Sequence, residues 1–241
     1  MQKDSLFDGR LVCYQHKSGY RFSIDSVLLA HFADVRKNEK ILDLGTGCGV
    51  IGLIICYRHQ AKKISLTGIE YQSDLADLAL ANIAENGFQK QFSVIREDLN
   101  RYGTVVKPES FSLVTANPPF YAQGSGRVNK NIEATAARHQ GESGLVGFLE
   151  AAAFAVKNRG RVVLIYPAES ISALISLLQG QRLIPKKIQF IYPYPESDNA
   201  NLVIVEAMKN GGTSSSVFAP LYIYQFKNGP YTKQVESMFL P

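Results

Sequence analysis

The stretch Ile41-Leu-Asp-Leu-Gly-Thr-Gly-Cys-Gly-Val-Ile-Gly52 decides how this 241-residue chain is organised. An apolar run gives way to alternating glycines and then resumes with helical spacing, which predicts a strand, a tight turn and a helix. The glycines allow a left-handed backbone and expose peptide N–H groups at the positive end of the helix. We therefore expect a nucleotide-like cofactor to contact Gly45, Thr46, Gly47 and Gly49.

The glycine turn alone does not identify the cofactor. Its second half, Gly47-Cys-Gly49-Val-Ile-Gly52, also fits the G-x-G-x-x-G fingerprint of dinucleotide-dependent dehydrogenases. A purely structural glycine turn is a further alternative. Residues later in the chain must separate these interpretations.

Composition limits the class of protein. With 46% hydrophobic residues, the chain can bury one α/β core, and its length favours one domain over two. The formal net charge of +5 is compatible with a nucleic-acid partner but does not require one. The cysteines Cys13, Cys48 and Cys56 lack metal-ligand spacing and are typical of reduced cytosolic thiols. From the cysteine spacing we expect no metal site. Since no signal core or membrane-length apolar run is recognisable, we expect a soluble, cytoplasmic protein.

Short β-branched segments alternate with helical patterns from residue 40 onward. This alternation predicts an α/β fold with a mainly parallel sheet and helices on both faces. The last two strands are separated by residues 193–200 alone, which are too few for a helical crossover, so these strands should be antiparallel. The expected strands are Lys40–Leu44, Ser65–Glu70, Phe92–Arg96, Phe111–Ala116, Gly160–Tyr166, Lys186–Tyr192 and Asn201–Met208.

Helices and peripheral segments follow from the same patterns. Near the N-terminus, Leu11–Tyr14 reads as a strand followed by a turn at 16–19, which suggests a hairpin lid. Residues 210–216 have the composition of a linker, and the last part of the chain either docks on the core or forms a loose tail. The expected helices are Asp25–Phe32, Val50–Arg58, Ser73–Asn86, Leu145–Val156 and Ala168–Gln179, and the tail should hold a strand at Leu221–Phe226 and a short helix within Tyr231–Phe239.

Polar residues stand at the carboxyl ends of the predicted strands, where open α/β sheets bind their ligands. Glu70 is placed to accept hydrogen bonds from both hydroxyls of a ribose, and Tyr71 can lie against an adenine ring. Asp98 can accept from an exocyclic adenine amine while the Leu99 backbone contacts the ring. Asp43 is better placed to orient the glycine loop, or to reach the amino group of the cofactor through water, than to act as a base.

The motif Asn117-Pro-Pro-Phe120 argues against a dehydrogenase, which has no use for it. The residue before a proline is held extended, so the Asn117 amide projects across the pocket. Pro118 lacks an N–H and offers only its carbonyl acceptor, while Pro119 stiffens the turn. Phe120 supplies a flat face on which a base or amide can stack.

Two acceptors facing one small volume suit an NH₂ group conjugated to a ring or carbonyl. They grip its two hydrogens, so that the nitrogen lone pair turns toward an electrophile such as a sulfonium methyl. Positive charge develops on the nitrogen during transfer, so the fixed acceptors stabilise the transition state more than the ground state. No strong base is needed, because the methylated nitrogen is acidic. We therefore expect Asn117, Pro118 and Phe120 to act in catalysis, with Asn117 also contacting the cofactor. A proline-stiffened loop of no function is the alternative.

Residues 121–141 directly follow this motif and carry several cations with glycines and asparagines. Such charges are often simply solvated, but here they adjoin the pocket. A basic lid of this kind can clamp the phosphates of a nucleotide whose base is flipped out. The expected substrate contacts are Pro119, Tyr121, Arg127, Lys130, Arg138 and His139.

Together these residues resemble the class I S-adenosylmethionine-dependent methyltransferases, over roughly residues 10 to 210. Asn117–Phe120 resembles the motif of their amino-methylating branch. Within that branch, Gly19-Tyr-Arg-Phe-Ser-Ile-Asp-Ser-Val-Leu-Leu-Ala30, the glycine loop and Ala137-Arg-His139 are similar to the bacterial tRNA (adenine-N6)-methyltransferases that modify the adenine just 3′ of the anticodon, position 37, in a valine tRNA.

The resemblance implies a fold and a set of ligands. The fold is a Rossmann-like, seven-stranded sheet of order 3-2-1-4-5-7-6 with one antiparallel strand. The implied cofactor is S-adenosylmethionine, with Phe22 to Ser26 beside its methionine end, and the implied partner is tRNA. We expect residues 1–241 to form a single methyltransferase domain. In it, an N-terminal hairpin and helix (1–38) cover the cofactor site, 39–209 form the catalytic core and 210–241 form a linker and C-terminal extension.

Other functions remain open from sequence. A protein glutamine N5-methyltransferase acting on release factors shares the Asn-Pro-Pro motif, but those enzymes usually carry a helical domain before the glycine loop, where this chain has about forty residues. A ribosomal RNA guanine-N2 methyltransferase is another alternative. DNA adenine methylation is less favoured, because no insertion is large enough to read a sequence. An RNA-binding module that has kept the fold without the reaction is the alternative outside enzymes.

Overall fold

A nine-stranded mixed sheet forms the centre of the computed structural model, which describes residues 2–16, 23–119 and 133–241, without the side chains of 133–143. Its main strands are parallel except for one, as the sequence predicts. They are β3 (Lys40–Leu44), β4 (Ser65–Glu70), β5 (Phe92–Arg96), β6 (Phe111–Ala116), β7 (Val156–Pro167), β8 (Leu183–Tyr192) and β9 (Leu202–Lys209). A separate hairpin precedes them, formed by β1 (Gln2–Leu6) and β2 (Leu11–Gln15).

The strand order across the sheet is β8-β9-β7-β6-β3-β4-β5, which is the predicted order 3-2-1-4-5-7-6 in reverse. Strand β9 runs antiparallel to both of its neighbours, β7 and β8. The predicted count of seven strands is wrong, because two short strands extend the sheet beyond β8. These are β10 (Ser216–Val217) and β11 (Leu221–Tyr222), which pair in parallel with β8 and cover backbone groups that an edge strand would expose.

Helices cover both faces of the sheet. One face packs against α1 (Ile24–Phe32), α2 (Val50–Arg58), α3 (Ser73–Glu85) and α7 (Lys233–Glu236). The other packs against α4 (Tyr102–Val105), α5 (Glu133–Ala155) and α6 (Ile171–Gly180). Strand β3 shows why both faces are needed, since Ile41 belongs to one apolar core and Leu42 to the other. Among the described residues, no helix has both the length and the apolar character needed to cross a bilayer.

The N-terminal hairpin differs from the sequence prediction in the position of its turn. The hairpin closes through a turn at residues 7–10, before the Leu11 strand, and the predicted turn at 16–19 lies almost entirely outside the described residues. Two asparagines on α3 hold β2 from the side. The Asn86 amide exchanges hydrogen bonds of 2.9 and 2.7 Å with the backbone of Val12, and Asn82 exchanges bonds of 2.7 and 3.0 Å with that of Tyr14. These amides take the place of a neighbouring strand.

The C-terminal extension docks on the core, which settles the choice between a docked and a loose tail. The Val235 side chain is fully buried, and the carbonyl of Phe239 accepts a 3.0 Å hydrogen bond from the N–H of Phe7. The predicted strand at Leu221–Phe226 is shorter than expected and ends at Tyr222. The extension therefore joins the hairpin to the β8 edge of the sheet.

A buried ion cluster ties the strands together at the edge of the sheet where the parallel strands begin. Arg161 of β7 is 2% exposed, and its guanidinium lies 2.8 Å from the Glu39 carboxylate and 3.5 Å from that of Glu206. It also donates a 2.6 Å hydrogen bond to the carbonyl of Asp34. Arg161 thus connects the segment between α1 and β3 to the centre of the sheet.

We predict that Arg161→Leu lowers the free energy of unfolding by about 3–5 kcal/mol, because Glu39 and Glu206 then remain buried without their common partner. Urea denaturation of the purified protein measures this. The exposed neighbour Lys157→Ala serves as the control and should change stability by less than about 0.5 kcal/mol. A loss below about 1 kcal/mol for Arg161→Leu would contradict the role assigned to this cluster.

Candidate active site

The glycine loop after β3 has the geometry that its sequence predicts. Gly49 has φ +86° and is the residue from which α2 begins. The N–H of Thr46 donates a 3.0 Å hydrogen bond to the carbonyl of Ile69, which holds the loop against the end of β4. Gly52, the last glycine of the apparent dinucleotide fingerprint, lies where a Cβ would come within 2.4 Å of the Phe92 ring. That glycine therefore serves the packing of α2 on the sheet.

Glu70 lies at the end of β4 with only 4% of its surface exposed. Its Oε2 accepts a 2.9 Å hydrogen bond from the N–H of Gly47, and its Oε1 accepts one of 2.9 Å from the N–H of Gln72. Each carboxylate oxygen can accept a further bond. The carboxylate is therefore fixed in orientation and can still accept from ligand hydroxyls.

An open pocket of about 680 Å³ lies over the carboxyl ends of β3, β4, β5 and β6 and is closed on one side by α5. This volume is within the usual range for cofactor and small-molecule sites. The structure brings together around it many of the site residues predicted from sequence, namely Gly45, Gly47, Glu70, Tyr71, Asp98, Leu99, Asn117 and Pro119.

The remaining predicted residues do not line this pocket among the described parts of the chain. Asp43, Thr46 and Pro118 are buried in the segments that support it, and Gly49 lies at the start of α2. Further positions fall outside what the structure describes, namely Phe22, Phe120, Tyr121, Arg127, Lys130 and the side chains of Arg138 and His139.

Asp43 is fully buried beneath the loop and connects two strands. Its Oδ2 accepts a 2.6 Å hydrogen bond from the Thr46 hydroxyl, and its Oδ1 accepts one of 2.7 Å from the hydroxyl of Thr115 on β6. Burial raises the pKa of Asp43 to about 6, although both hydroxyl bonds act in the opposite direction. These contacts orient the glycine loop. The sequence analysis gave this role to Asp43 as one of two alternatives, the other being a water-mediated contact with the amino group of the cofactor.

Asn117 follows β6 and faces the first turn of α1. Its Nδ2 lies 3.4 Å from the hydroxyl of Ser26, a residue with 1% exposure. Because the amide nitrogen donates to Ser26, the amide oxygen is the atom available to accept from a ligand. The family resemblance placed Ser26 beside the methionine end of the cofactor. The sequence pattern did not predict its contact with Asn117, because a serine inside a helix gives no sign of a partner far along the chain.

Sequence analysis missed the second wall of the pocket. Gly144, Gly147 and Phe148 of α5 line it, as do Gln72 and Asn100. The helix starts at Glu133, twelve residues before the predicted start at Leu145. Gly144 and Gly147 are three residues apart and therefore share one helix face. This spacing of small residues is the sequence feature that could have indicated a helix lining the pocket.

Asn82 joins the N-terminal hairpin to the glycine loop. Its Nδ2 donates to the carbonyl of Cys48 at 2.9 Å, in addition to its bonds with Tyr14. Beside it, the sulfur atoms of Cys13 and Cys48 lie 3.8 Å apart, and a hydrogen bond with Cys13 lowers the pKa of Cys48. The hairpin thus packs against the back of the loop. No group of three or more potential metal ligands occurs within the described ranges.

Comparison with known proteins identifies the family. Residues 19–157 match the family described as Methyltransferase small domain, which is more than half of the chain. The chain belongs to this methyltransferase family. Its cofactor is S-adenosylmethionine. The pocket fits such a molecule in volume, and the fixed Glu70 carboxylate offers acceptors of the kind that ribose hydroxyls need.

Two relatives illustrate the similarity of this chain to other members of the family. A protein from Flavobacteriaceae bacterium (strain 3519-10), named tRNA1(Val) (adenine(37)-N6)-methyltransferase, is 31% identical over 85% of this chain and 84% of its own length. A protein of the same name from Tolumonas auensis is 28% identical over 68% of this chain, and the match spans 66% of that relative's length.

A solved structure shows the same fold. The crystal structure of a predicted O-methyltransferase from Agrobacterium tumefaciens aligns with a TM-score of 0.71 at 22% identity. The alignment covers 89% of this chain and 94% of that one. The fold of this chain therefore also occurs in a protein of only 22% sequence identity.

We predict that Asp43 makes the stability of the protein depend on pH. Its folded pKa of about 6 lies above the value of about 3.9 expected in the unfolded chain, so the folded state binds the additional proton between these values. Stability from this group is therefore lost as pH rises from about 4 to about 6. Asp43→Asn should lack this loss, so urea midpoints of variant and wild type should shift relative to each other over this range. Parallel curves would contradict the assignment.

Proposed function

We propose that this protein transfers the methyl group of S-adenosylmethionine to N6 of the adenine just 3′ of the anticodon, position 37, in a tRNA. The observation that carries this proposal is the Asn117 amide, whose nitrogen is held by Ser26 and whose oxygen is left to accept at the rim of the Glu70 pocket. The names of the relatives from Flavobacteriaceae and Tolumonas support the choice of tRNA and of adenine N6.

The proposal assigns the cofactor contacts by position in the pocket. Glu70 accepts from the ribose hydroxyls, because its two oxygens are held at the end of β4. Tyr71 is 69% exposed at the rim and can cover an adenine ring. Asp98 and Leu99 contact the adenine edge. The loop of Gly45 to Gly49 holds the methionine part of the cofactor together with Phe22.

The chemistry follows from the acceptors beside Asn117. The cofactor supplies an electrophilic methyl group on a sulfonium centre. The Asn117 Oδ1 and the Pro118 carbonyl accept the two N6 hydrogens and so turn the nitrogen lone pair toward that methyl group. They stabilise the positive charge that develops on N6, and the proton leaves afterwards without a strong base. Most of the rate acceleration comes from alignment.

The same proposal covers the residues that grip the RNA. Phe120 stacks on the target base, while Pro119 and Tyr121 border it. The cations of the following loop, Arg127, Lys130, Arg138 and His139, contact phosphates beside the flipped nucleotide. We assign residues 1–38 to a cover over the cofactor site, 39–209 to the catalytic core and 210–241 to the extension, and we place the reaction in the cytoplasm, where tRNA is modified.

We predict that the recombinant protein transfers labelled methyl groups from S-adenosylmethionine to bulk tRNA. Nuclease digestion and mass mapping should find N6-methyladenosine at position 37. In the matched control reactions, ribosomal RNA or a release factor replaces the tRNA. Methylguanosine in the RNA would contradict the proposal and indicate a guanine-N2 methyltransferase. Label on the release factor would contradict it and indicate a glutamine N5-methyltransferase. Cofactor binding without transfer to any of these substrates would favour the RNA-binding module.

We predict that Asn117→Ala lowers kcat by about 10²–10³-fold, the range seen when one transition-state hydrogen bond is removed. The dissociation constant for S-adenosylmethionine, measured by calorimetry, should change by less than about threefold, because that ligand is held mainly through the Glu70 side of the pocket. An equal loss of binding and turnover would make Asn117 chiefly a cofactor ligand.

The Ser26 contact supplies the control for this result. Ser26→Ala removes the acceptor that fixes the amide, so it should lower kcat in the Asn117 protein. In an Asn117→Asp background it should have little further effect, because a carboxylate presents an oxygen in either orientation. Additive effects of the two substitutions would mean that Ser26 does not orient Asn117.

A further inference from the structure

A row of exposed cations lies at the edge of the sheet opposite the pocket. We define this basic edge by Arg36, Lys37, Lys40, Lys63, Arg159 and Arg182, all of which are exposed. Five of them precede or begin β3, β4 and β8, and Arg159 is the fourth residue of β7. The first residues of these strands lie at the same edge because the strands run in one direction. From β8 to β4 the row crosses five strand spacings, or about 24 Å.

The acidic side chains on the same connections are largely paired with cations outside the basic edge. Glu39 pairs with Arg161 at 2.8 Å, Asp34 lies 3.7 Å from Arg161, and Glu109 pairs with Lys209 at 2.9 Å. None of these bonds involves a member of the basic edge. The described pocket edge is different, since it exposes Asp74, Asp98 and Glu169 together with only two cations, Arg96, which pairs with Asp77, and Arg101. The charge of the described chain is therefore unevenly divided between the two edges.

The backbone at the basic edge is strained at several basic residues. Lys63, Arg159 and Arg182 have φ values of 51°, 63° and 57°, in the left-handed region where glycine is the favoured residue. Asn38 and Asn210 adopt the same conformation at this edge, with φ of 58° and 52°. Connections from a helix to a strand commonly place glycine at such positions. Here Lys63 and Arg182 end such connections, and Arg159 lies near the start of β7, where it donates a 3.2 Å hydrogen bond to the carbonyl of Asn210. All three positions carry a cation at a cost in strain, which points to a use for the charge.

We propose that the basic edge binds the phosphate backbone of RNA at a place remote from the methylated nucleotide, an inference that rests on the proposed RNA substrate. Large exposed apolar side chains mark protein and membrane contacts. In the described chain, Tyr71, Phe226 and Leu240 belong to other segments, while Val217 and Phe218 lie on or beside β10, where the Phe218 ring is 6.0 Å from that of Phe32. The connections that carry the basic edge contain none of these five residues. A row of point charges instead suits a polyanion, which a nucleic-acid duplex supplies at about one charge per 1.7 Å of its axis.

The distance between the two edges decides which RNA is bound there. Strands of five to six residues separate the pocket from the basic edge by about 15–20 Å, before the connections are counted. A nucleotide held in the pocket therefore cannot also lie on this edge. The bound phosphates belong to a helical arm of the same tRNA or to a second RNA molecule, and both present the same chemistry.

The test uses a triple variant in which the charge is removed and the strain is relieved together. Lys63→Gly, Arg159→Gly and Arg182→Gly in one chain should leave the thermal midpoint unchanged or raise it, because glycine adopts φ > 0 freely. Asn38→Gly with Asn210→Gly is the matched control, since it relieves the same strain at the same edge without removing a charge.

Filter binding of full-length tRNA and of its anticodon stem-loop, over a series of salt concentrations, gives the result. For full-length tRNA, the triple variant should bind at least about tenfold more weakly than the control near 0.1 M salt, and its salt dependence should fall by about two to three in log–log slope. If a second RNA is the ligand, the control protein should bind two stem-loops and the triple variant one. The proposal would be overturned if variant and control had equal affinity, salt dependence and stoichiometry with both RNAs. It would also be overturned if the variant lost affinity only for a single stem-loop bound one-to-one, because that RNA occupies the pocket.

These readouts are independent of the proposed reaction, because no methyl transfer enters the binding measurement. Failure of the unaltered protein to methylate tRNA would count against the proposed function alone. A difference between the triple variant and its matched control would still assign the basic edge to RNA.

Discussion

The hydrogen bonds of the buried Asp43 carboxylate are the interaction on which the site depends. One oxygen accepts from Thr46 in the glycine loop, and the other accepts from Thr115, two residues before Asn117. A single charged group therefore fixes the glycine loop relative to the strand that leads to Asn117. Burial raises its pKa toward neutrality, so this coupling costs some stability in exchange for a fixed geometry.

Positioning continues outward from Asp43 through side chains that carry no chemistry themselves. Glu70 holds the N–H of Gly47, Asn82 joins Cys48 to the hairpin, and Ser26 holds the amide of Asn117. Each contact links segments that are far apart in the chain. Such support suits the proposed methyl transfer, whose rate depends mainly on how well the two reacting groups are aligned.

The sequence pattern predicted the bounds of β3 to β6, because buried parallel strands are short, apolar and followed by polar or glycine-rich turns. The strand order was predicted only through the family resemblance. The sequence pattern missed β1 because Gln2–Leu6 is mostly polar, and it missed β10 because two residues leave no periodic pattern. The other short edge strand, β11, lies within the predicted strand Leu221–Phe226. Much of the pocket wall was predicted from strand ends. The Ser26 contact and the burial of Arg161 depend on tertiary packing, which has no local signature.

The central claim is that one pocket presents a donor methyl group to an amine held by Asn117. The most direct measurement is a crystal structure with S-adenosylhomocysteine bound. We predict that both ribose hydroxyls lie within hydrogen-bond distance of the Glu70 carboxylate and that the sulfur atom faces the Asn117 amide. An adenosine bound away from Glu70, or a sulfur directed away from Asn117, would contradict this account of the site.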